Sequence, residues 1–210
     1  MTTKYQDTEF GIITGYPHVN SPDTKFAKEP GDGEYKLDLA IGGEEGASRY
    51  EKVRAASQQA FDDWMADPEK GGKLPKAKAL EFKVFCPAHP ELDDETAEPT
   101  GRYIFQFRQN SRIKLKDGTF KQVELGLYNA SAKASTAAIW SGSEVRVNYS
   151  MRVIPMPGLK QVGVRLDFGR VQYRKLNKGS GGGGFGAVEG GDDADGPSGP
   201  EPVSQTTEDY

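Results

Sequence analysis

Long stretches of period-two alternation, a single helical stretch and a final segment almost without core-forming side chains predict a mainly β protein. Five or six strands with short turns are expected to close into a small barrel, with one inserted α-helix and a disordered acidic C-terminal tail. Closure is the economical arrangement because it leaves no exposed sheet edge. A β-sandwich is the alternative for the same pattern.

"EFGIITG" at residues 9–15 reads as a short strand. Residues 15–34, "GYPHVNSPDTKFAKEPGDGE", are rich in Pro, Gly and Asp and read as a loop. In "YKLDLAI", Tyr35, Leu37, Leu39 and Ile41 alternate with Lys36, Asp38 and Ala40, the pattern of a half-buried strand. Residues 48–67 predict the helix. Ser48 and Glu51 have the spacing of a capping box, and Tyr50, Val53, Ser57, Ala60, Phe61 and Trp64 share one face. Pro68 ends it. Residues 69–101 read as a long irregular excursion with a short element around Leu80–Phe85.

From residue 102 the period becomes two. "RYIFQFRQ" sets Tyr103, Phe105 and Phe107 on one face, and Asp117-Gly118 marks a hairpin turn. In "EVRVNYSMRV", Val145, Val147, Tyr149, Met151 and Val153 face the core and Arg146, Asn148, Ser150 and Arg152 face away. In the last strand, Val162, Val164, Leu166 and Phe168 share a face until Gly169 shifts the phase to Val171 and Tyr173. A glycine at a phase change predicts a β-bulge that turns Arg165, Arg170 and Arg174 outward together. The OB-fold, a five-stranded barrel with one helix between strands, fits this order of elements.

With 210 residues, the chain suits one domain, residues 1–178, followed by a Gly-rich linker and acidic tail, residues 179–210. No window is apolar enough to span a membrane, "MTTKYQDTEF" lacks the pattern of a signal peptide, and the single cysteine, Cys86, fits a reducing compartment. A soluble cytoplasmic protein is the expectation. The net charge of −4 is unevenly distributed: −8 over residues 1–101, +11 over 102–178 and −7 over 179–210. A basic block followed by an acidic one suggests a basic surface and a tethered acidic competitor. The plainer alternative is a solvated face and a solubilising tail.

Catalytic and metal-binding patterns are not evident. His18 and His89 are the only histidines, and the Cys86–His89 spacing has no second half that would complete a zinc site. "GSGGGGFG" lacks the Lys-Ser/Thr ending of a phosphate loop. The expectation is therefore a protein that is not an enzyme and needs no cofactor.

Nucleic-acid chemistry is present. Rows of cations on adjacent strands track phosphates, and aromatic rings stack on bases of any sequence. The candidate residues are Tyr103, Phe105, Phe107 and Arg108 on one strand and Arg112, Lys114, Lys116, Phe120, Lys121 and Tyr128 along the hairpin. Trp140 in the loop, Arg146 and Arg152 on the next strand, and Arg165, Arg170 and Arg174 on the last complete the set. Core burial is an equal alternative for Tyr103, Phe105 and Phe107, and the better one for Tyr149.

The order of elements resembles the single-stranded DNA-binding proteins of short-tailed, T-odd-type bacteriophages. The resemblance rests on "GYPHVNSPDTKF" before "GEYKLDLAI", the helix at 48–66, "GSEVRVNYSMRVIPM" before "VGVRLDFGRVQYRKL", and "GGGGFGAVEGG" before an acidic end. It implies an OB-fold that coats single-stranded DNA in phage replication, recombination and repair, in the cytoplasm of the bacterial host. It also implies a homodimer, and a tail that docks replisome proteins (DNA polymerase and helicase–primase) through Glu208, Asp209 and Tyr210. That family's tail usually ends in phenylalanine after dense acids, whereas here tyrosine follows sparse ones. An RNA-binding OB module, or an assembly protein whose basic face meets an acidic partner, are the other functions this pattern admits.

Overall fold

The structure, a computed structural model, describes residues 4–177. The expected tail, with Glu208, Asp209 and Tyr210, lies outside the described residues. The strands, in chain order, are β1 (Gln6–Asp7), β2 (Gly11–Asp23), β3 (Glu34–Gly42), β4 (Lys83–Phe85), β5 (Ala88–Leu92), β6 (Pro99–Asn110), β7 (Arg112–Lys114), β8 (Phe120–Gln122), β9 (Gly126–Tyr128), β10 (Glu144–Met156) and β11 (Gln161–Lys175). Helices α1 (Gly43–Ala66) and α2 (Lys76–Ala79) lie between β3 and β4.

Five of these strands form a ring. β2 pairs with β3, β3 with β6, and β11 with β10, all antiparallel. β6 meets β11 in parallel at Phe107 opposite Leu166, and β10 returns to β2 at Glu144–Val145 opposite Ile12–Gly11. This closed ring, with one parallel contact, is the OB-fold barrel. β4 and β9 extend it in parallel along β11, β5 borders β6, and β7–β8 is a separate two-stranded hairpin.

The inward residues of the ring are apolar, so closure buries them. Leu37, Leu39, Phe105, Phe107, Val147 and Leu166 are almost wholly inaccessible. The Phe107 ring meets Tyr149 edge-on at 5.2 Å and Phe168 at 6.1 Å. α1 covers part of the barrel with Val53, Ser57 and Ala60, and Tyr50 stacks on Tyr103 at 4.9 Å.

Several expectations are corrected. α1 begins at Gly43, inside a glycine-rich stretch, and Gly42 caps it with no side-chain hydrogen bond. Ser48 is interior to the helix, and Glu51 pairs with Arg54 instead of closing a capping box. Gly46 is needed there because a Cβ would sit 2.3 Å from the Ile41 carbonyl oxygen. Glu44 and Glu45 in the first turn suit the positive end of the helix dipole. The supposed loop at 15–34 is strand as far as Asp23, with register shifts on both sides of His18. The excursion at 69–101 contains α2, β4, β5 and the start of β6.

The bulge at Gly169 is present: Tyr149 opposes Phe168 and Asn148 opposes Arg170, leaving Gly169 unpaired. Met151 and Val153, expected in the core, are 36% and 53% exposed. Beyond Ser150, β10 pairs only with β11 among the described strands, so it is an edge strand there, while the facing Val162 and Val164 of β11 stay buried. Among the described residues no helix is long and apolar enough to cross a membrane, and no group of three His, Cys, Asp or Glu is placed to hold a metal ion.

Candidate nucleic-acid interface

The outward face of β2, β3 and β6, with the loops beside it, carries exposed rings and cations. His18, Lys36 and Arg108 are register partners across the three strands. Lys36 lies between buried Tyr35 and Leu37, so it projects away from the core. Tyr16 is 73% exposed and lies edge-on to His18 at 5.3 Å and to Trp140 at 6.4 Å. Trp140 itself is 41% exposed, at the end of the segment leading to β10. Asn20 pins that segment: its amide donates to the Ala137 carbonyl at 2.8 Å and accepts from the Ile139 N–H at 3.0 Å.

The face continues into a cleft of about 360 Å³ between the β2–β3 loop and the β7–β8 hairpin, lined by Asp23, Phe26, Lys28, Lys36, Asn110 and Arg112. Ser111 braces it. Its hydroxyl donates to the carbonyls of Gly31 at 2.9 Å and Gly33 at 3.0 Å, and its own carbonyl accepts from the Val123 N–H. Arg112 donates to the Pro30 carbonyl at 2.9 Å and to Glu29 at 3.1 Å, and its guanidinium lies 3.8 Å above the Phe120 ring. These contacts hold the loop and the hairpin together. Phe26 lines the cleft, Phe120 packs under its Arg112, and both rings are exposed.

The strand cations of this face, Lys36 and Arg108, are already paired with acids. Lys36 donates to Asp23 at 2.6 Å, and Arg108 donates to Asp38 and to the Phe107 carbonyl at 2.7 and 2.8 Å. The Lys36 ammonium and then the Lys25 N–H hold the Asp23 carboxyl below its ordinary value. On β10 and β11, Arg165 is engaged by Asp167 and Glu34, Arg152 by Asp167, and Arg174 by Glu144. Lys114, Lys116 and Lys121 on the hairpin form no ion pair with the described residues, nor do Lys25 and Lys28 in the β2–β3 loop.

The predicted residues therefore divide. Trp140, Phe120, Arg108, Arg112, Lys114, Lys116 and Lys121 lie on or beside this face. Phe105 and Phe107 do not: both are 0% exposed, because their alternation points them into the closed barrel. Tyr103 shares their side of β6 and packs under α1. Arg146, Arg170 and half-buried Tyr128 belong to another stretch of wall, formed by β9, β10 and β11, and Arg174 accompanies them. Sequence reading missed Tyr16, His18, Phe26 and Lys36. The signal for the first two was present: Pro17 and Val19 are buried while Tyr16, His18 and Asn20 face outward, a period of two hidden by the prolines.

No protein-family model matches the chain, and no curated protein is significantly similar to it in sequence. Solved structures are similar in fold. One is gp2.5, a single-stranded DNA-binding protein encoded by bacteriophage T7. It superposes with a TM-score of 0.69 at 19% identity, over 84% of this chain and 94% of that one. Another is the single-stranded DNA-binding protein of bacteriophage Enc34 in complex with single-stranded DNA, with a TM-score of 0.52 at 12% identity over 82% and 87% of the two chains. The same Enc34 protein without DNA gives 0.50 at 11%, over 81% and 80%.

Proposed function

We propose that this chain binds single-stranded DNA without sequence preference, on the outward face of β2, β3 and β6. The observation that carries this reading is the run of exposed rings, Trp140, Tyr16, Phe26 and Phe120, interleaved with Lys36, Arg108 and the hairpin lysines on a closed OB barrel. Rings accept any base by stacking, and cations hold the backbone between them. The similar T7 and Enc34 proteins, which bind single-stranded DNA, support the same reading.

On this reading the protein coats single strands during phage DNA replication, recombination and repair. Residues 179–210, with seven acids and no base, compete with DNA for the cationic face. When DNA displaces them, Glu208, Asp209 and Tyr210 become available to a replication partner.

The experiment is a fluorescence titration with poly-dT at several salt concentrations. Trp64 is stacked on Phe82 against the helix at 5.2 Å, so Trp140 is the reporter. Quenching is expected, with affinity falling steeply as salt rises and the signal lost in Trp140→Phe. A matched RNA competitor separates DNA from RNA binding. Absence of binding at low salt, with the tail removed as a control, would favour a protein partner for the basic face.

A further inference from the structure

Arg146 of β10 and Arg170 of β11 do not join the aromatic face; they line a cleft of their own. It has a volume of about 340 Å³ and is lined by Asp7, Tyr128, Arg146, Asn148, Arg170 and Gln172. Arg146 and Arg170 are both exposed. Arg146 is oriented by a 2.7 Å bond from Nε to Gln172 Oε1 and by the Phe10 ring 5.4 Å from its guanidinium. Gln172 is fixed in turn by donating to the Asn129 and Ala130 carbonyls at 2.8 and 3.2 Å. Arg170 forms no ion pair with the described residues, unlike Arg108, Arg152 and Arg165. Asp7 is the one carboxylate lining the cleft, and Asn148 donates to it at 2.7 Å. The cleft is thus a net cationic site, with Arg146 pre-oriented, Arg170 open and a phenol at its edge.

The segment between β9 and β10 links the two surfaces. Ala132 lines this cleft, and Trp140, eight residues later, meets Tyr16. Eight residues reach at most about 30 Å, a distance within the 4–16 nucleotides an OB domain engages. The segment is built mostly of small residues, "NASAKASTAAIW"; Ile139 is buried, and the long side chain exposed between the two sites is the cation Lys133.

Resting on the single-strand reading above, we infer that the cleft of Arg146 and Arg170 is a second phosphate-contact surface. A strand long enough to leave the aromatic face at Trp140 passes along residues 132–140 and places its backbone on these two arginines. Short strands occupy the aromatic face alone.

The test uses the full chain with oligo-dT of 6 and 16 nucleotides at low salt. In the Arg146→Ala/Arg170→Ala double variant the 16-mer is expected to bind about tenfold more weakly. Its salt slope should fall by about 1.4, the value for two phosphates on a single strand. The 6-mer should be unaffected, while Trp140→Ala weakens both lengths. Both arginines are exposed, and a thermal melt confirms that the variant is folded; Arg170→Lys, which keeps the charge, should restore part of the length-dependent affinity. Equal loss for both lengths, or no loss for the 16-mer, overturns the second surface while leaving the aromatic face in place. Binding of neither length by the unaltered protein overturns both readings.

Discussion

Trp140 and Tyr16 touch each other edge-on and are both open to solvent, so each can offer a face to a base. Stacking contributes roughly 1–3 kcal/mol per base. Replacing either residue with alanine should therefore weaken poly-dT binding by about 5- to 150-fold and leave the melting temperature nearly unchanged. Phe107→Ala should do the reverse, destabilising the fold by about 3–5 kcal/mol because the ring fills the barrel. Urea unfolding beside the DNA titration separates the two effects. The ion pairs make a second test. Asp38 holds Arg108 at 2.7 Å in direct competition with a phosphate. Asp38→Asn should tighten DNA binding several-fold at low salt and steepen the salt dependence by about 0.7, one single-strand phosphate. An unchanged slope would mean that Arg108 does not meet the backbone. Alternation alone left Phe105 and Phe107 undecided, since a strand in a barrel reads the same whichever face is wet. What settles them is closure, a property of β2, β10 and β11 together and not of β6.

The elements legible in sequence were those whose period is not interrupted. β3, β10 and β11 alternate cleanly, and the Gly169 bulge showed as a phase change. β2 was cut short because Pro17 and Pro22 read as loop. The strand tolerates them by shifting register beside His18, where fewer ladder bonds are required. β4 was only partly visible because it depends on a close approach. A Cβ on Gly163 would lie 1.8 Å from the Phe85 carbonyl oxygen. Gly163→Ala should separate β4 from β11 and cost about 1–3 kcal/mol, read as a lowered melting temperature. The start of the chain is held by Arg49 of α1, which donates to Glu9 at 2.7 and 2.8 Å, to the Tyr149 hydroxyl at 2.8 Å and to the Asp7 carbonyl at 3.0 Å. That hydrogen bond holds the Glu9 carboxyl below its ordinary value against the opposing effect of burial. A depressed carboxyl stabilises the fold fully above its unfolded value, near pH 4.3, and the contribution is lost as pH falls through the lower folded value. Glu9→Gln should thus be less stable than the unaltered protein by about 1 kcal/mol at neutral pH. The gap should close toward pH 3, as thermal melts across pH would record.

For the whole molecule, charge summed along the chain misled in one respect. The +11 block is not a bare groove, because strand pairing lays the acidic first half beside the basic second half. β3 brings Asp38 to Arg108, and Glu34 to Arg165, while the β2–β3 loop brings Glu29 and Asp32 to Arg112. Cations left without such partners among the described residues include those on the β7–β8 hairpin and in the β2–β3 loop, and Arg146 and Arg170, and these are open to an outside anion. Removing residues 179–210 takes away seven acidic and no basic residues, so the net charge of −4 becomes +3. In the proposed competition, a tethered polyanion would have a high effective concentration near these cations, and salt would screen each contact it made. The shortened chain should bind poly-dT about tenfold more tightly at low salt, with the advantage fading toward the salt concentration at which the tail's own contacts are screened. Tryptophan quenching measured on both chains across the salt series reads this directly. Equal affinities at low salt would mean that the tail does not compete for this surface. A gain that persists unchanged at high salt would mean that the tail acts by something other than its charge.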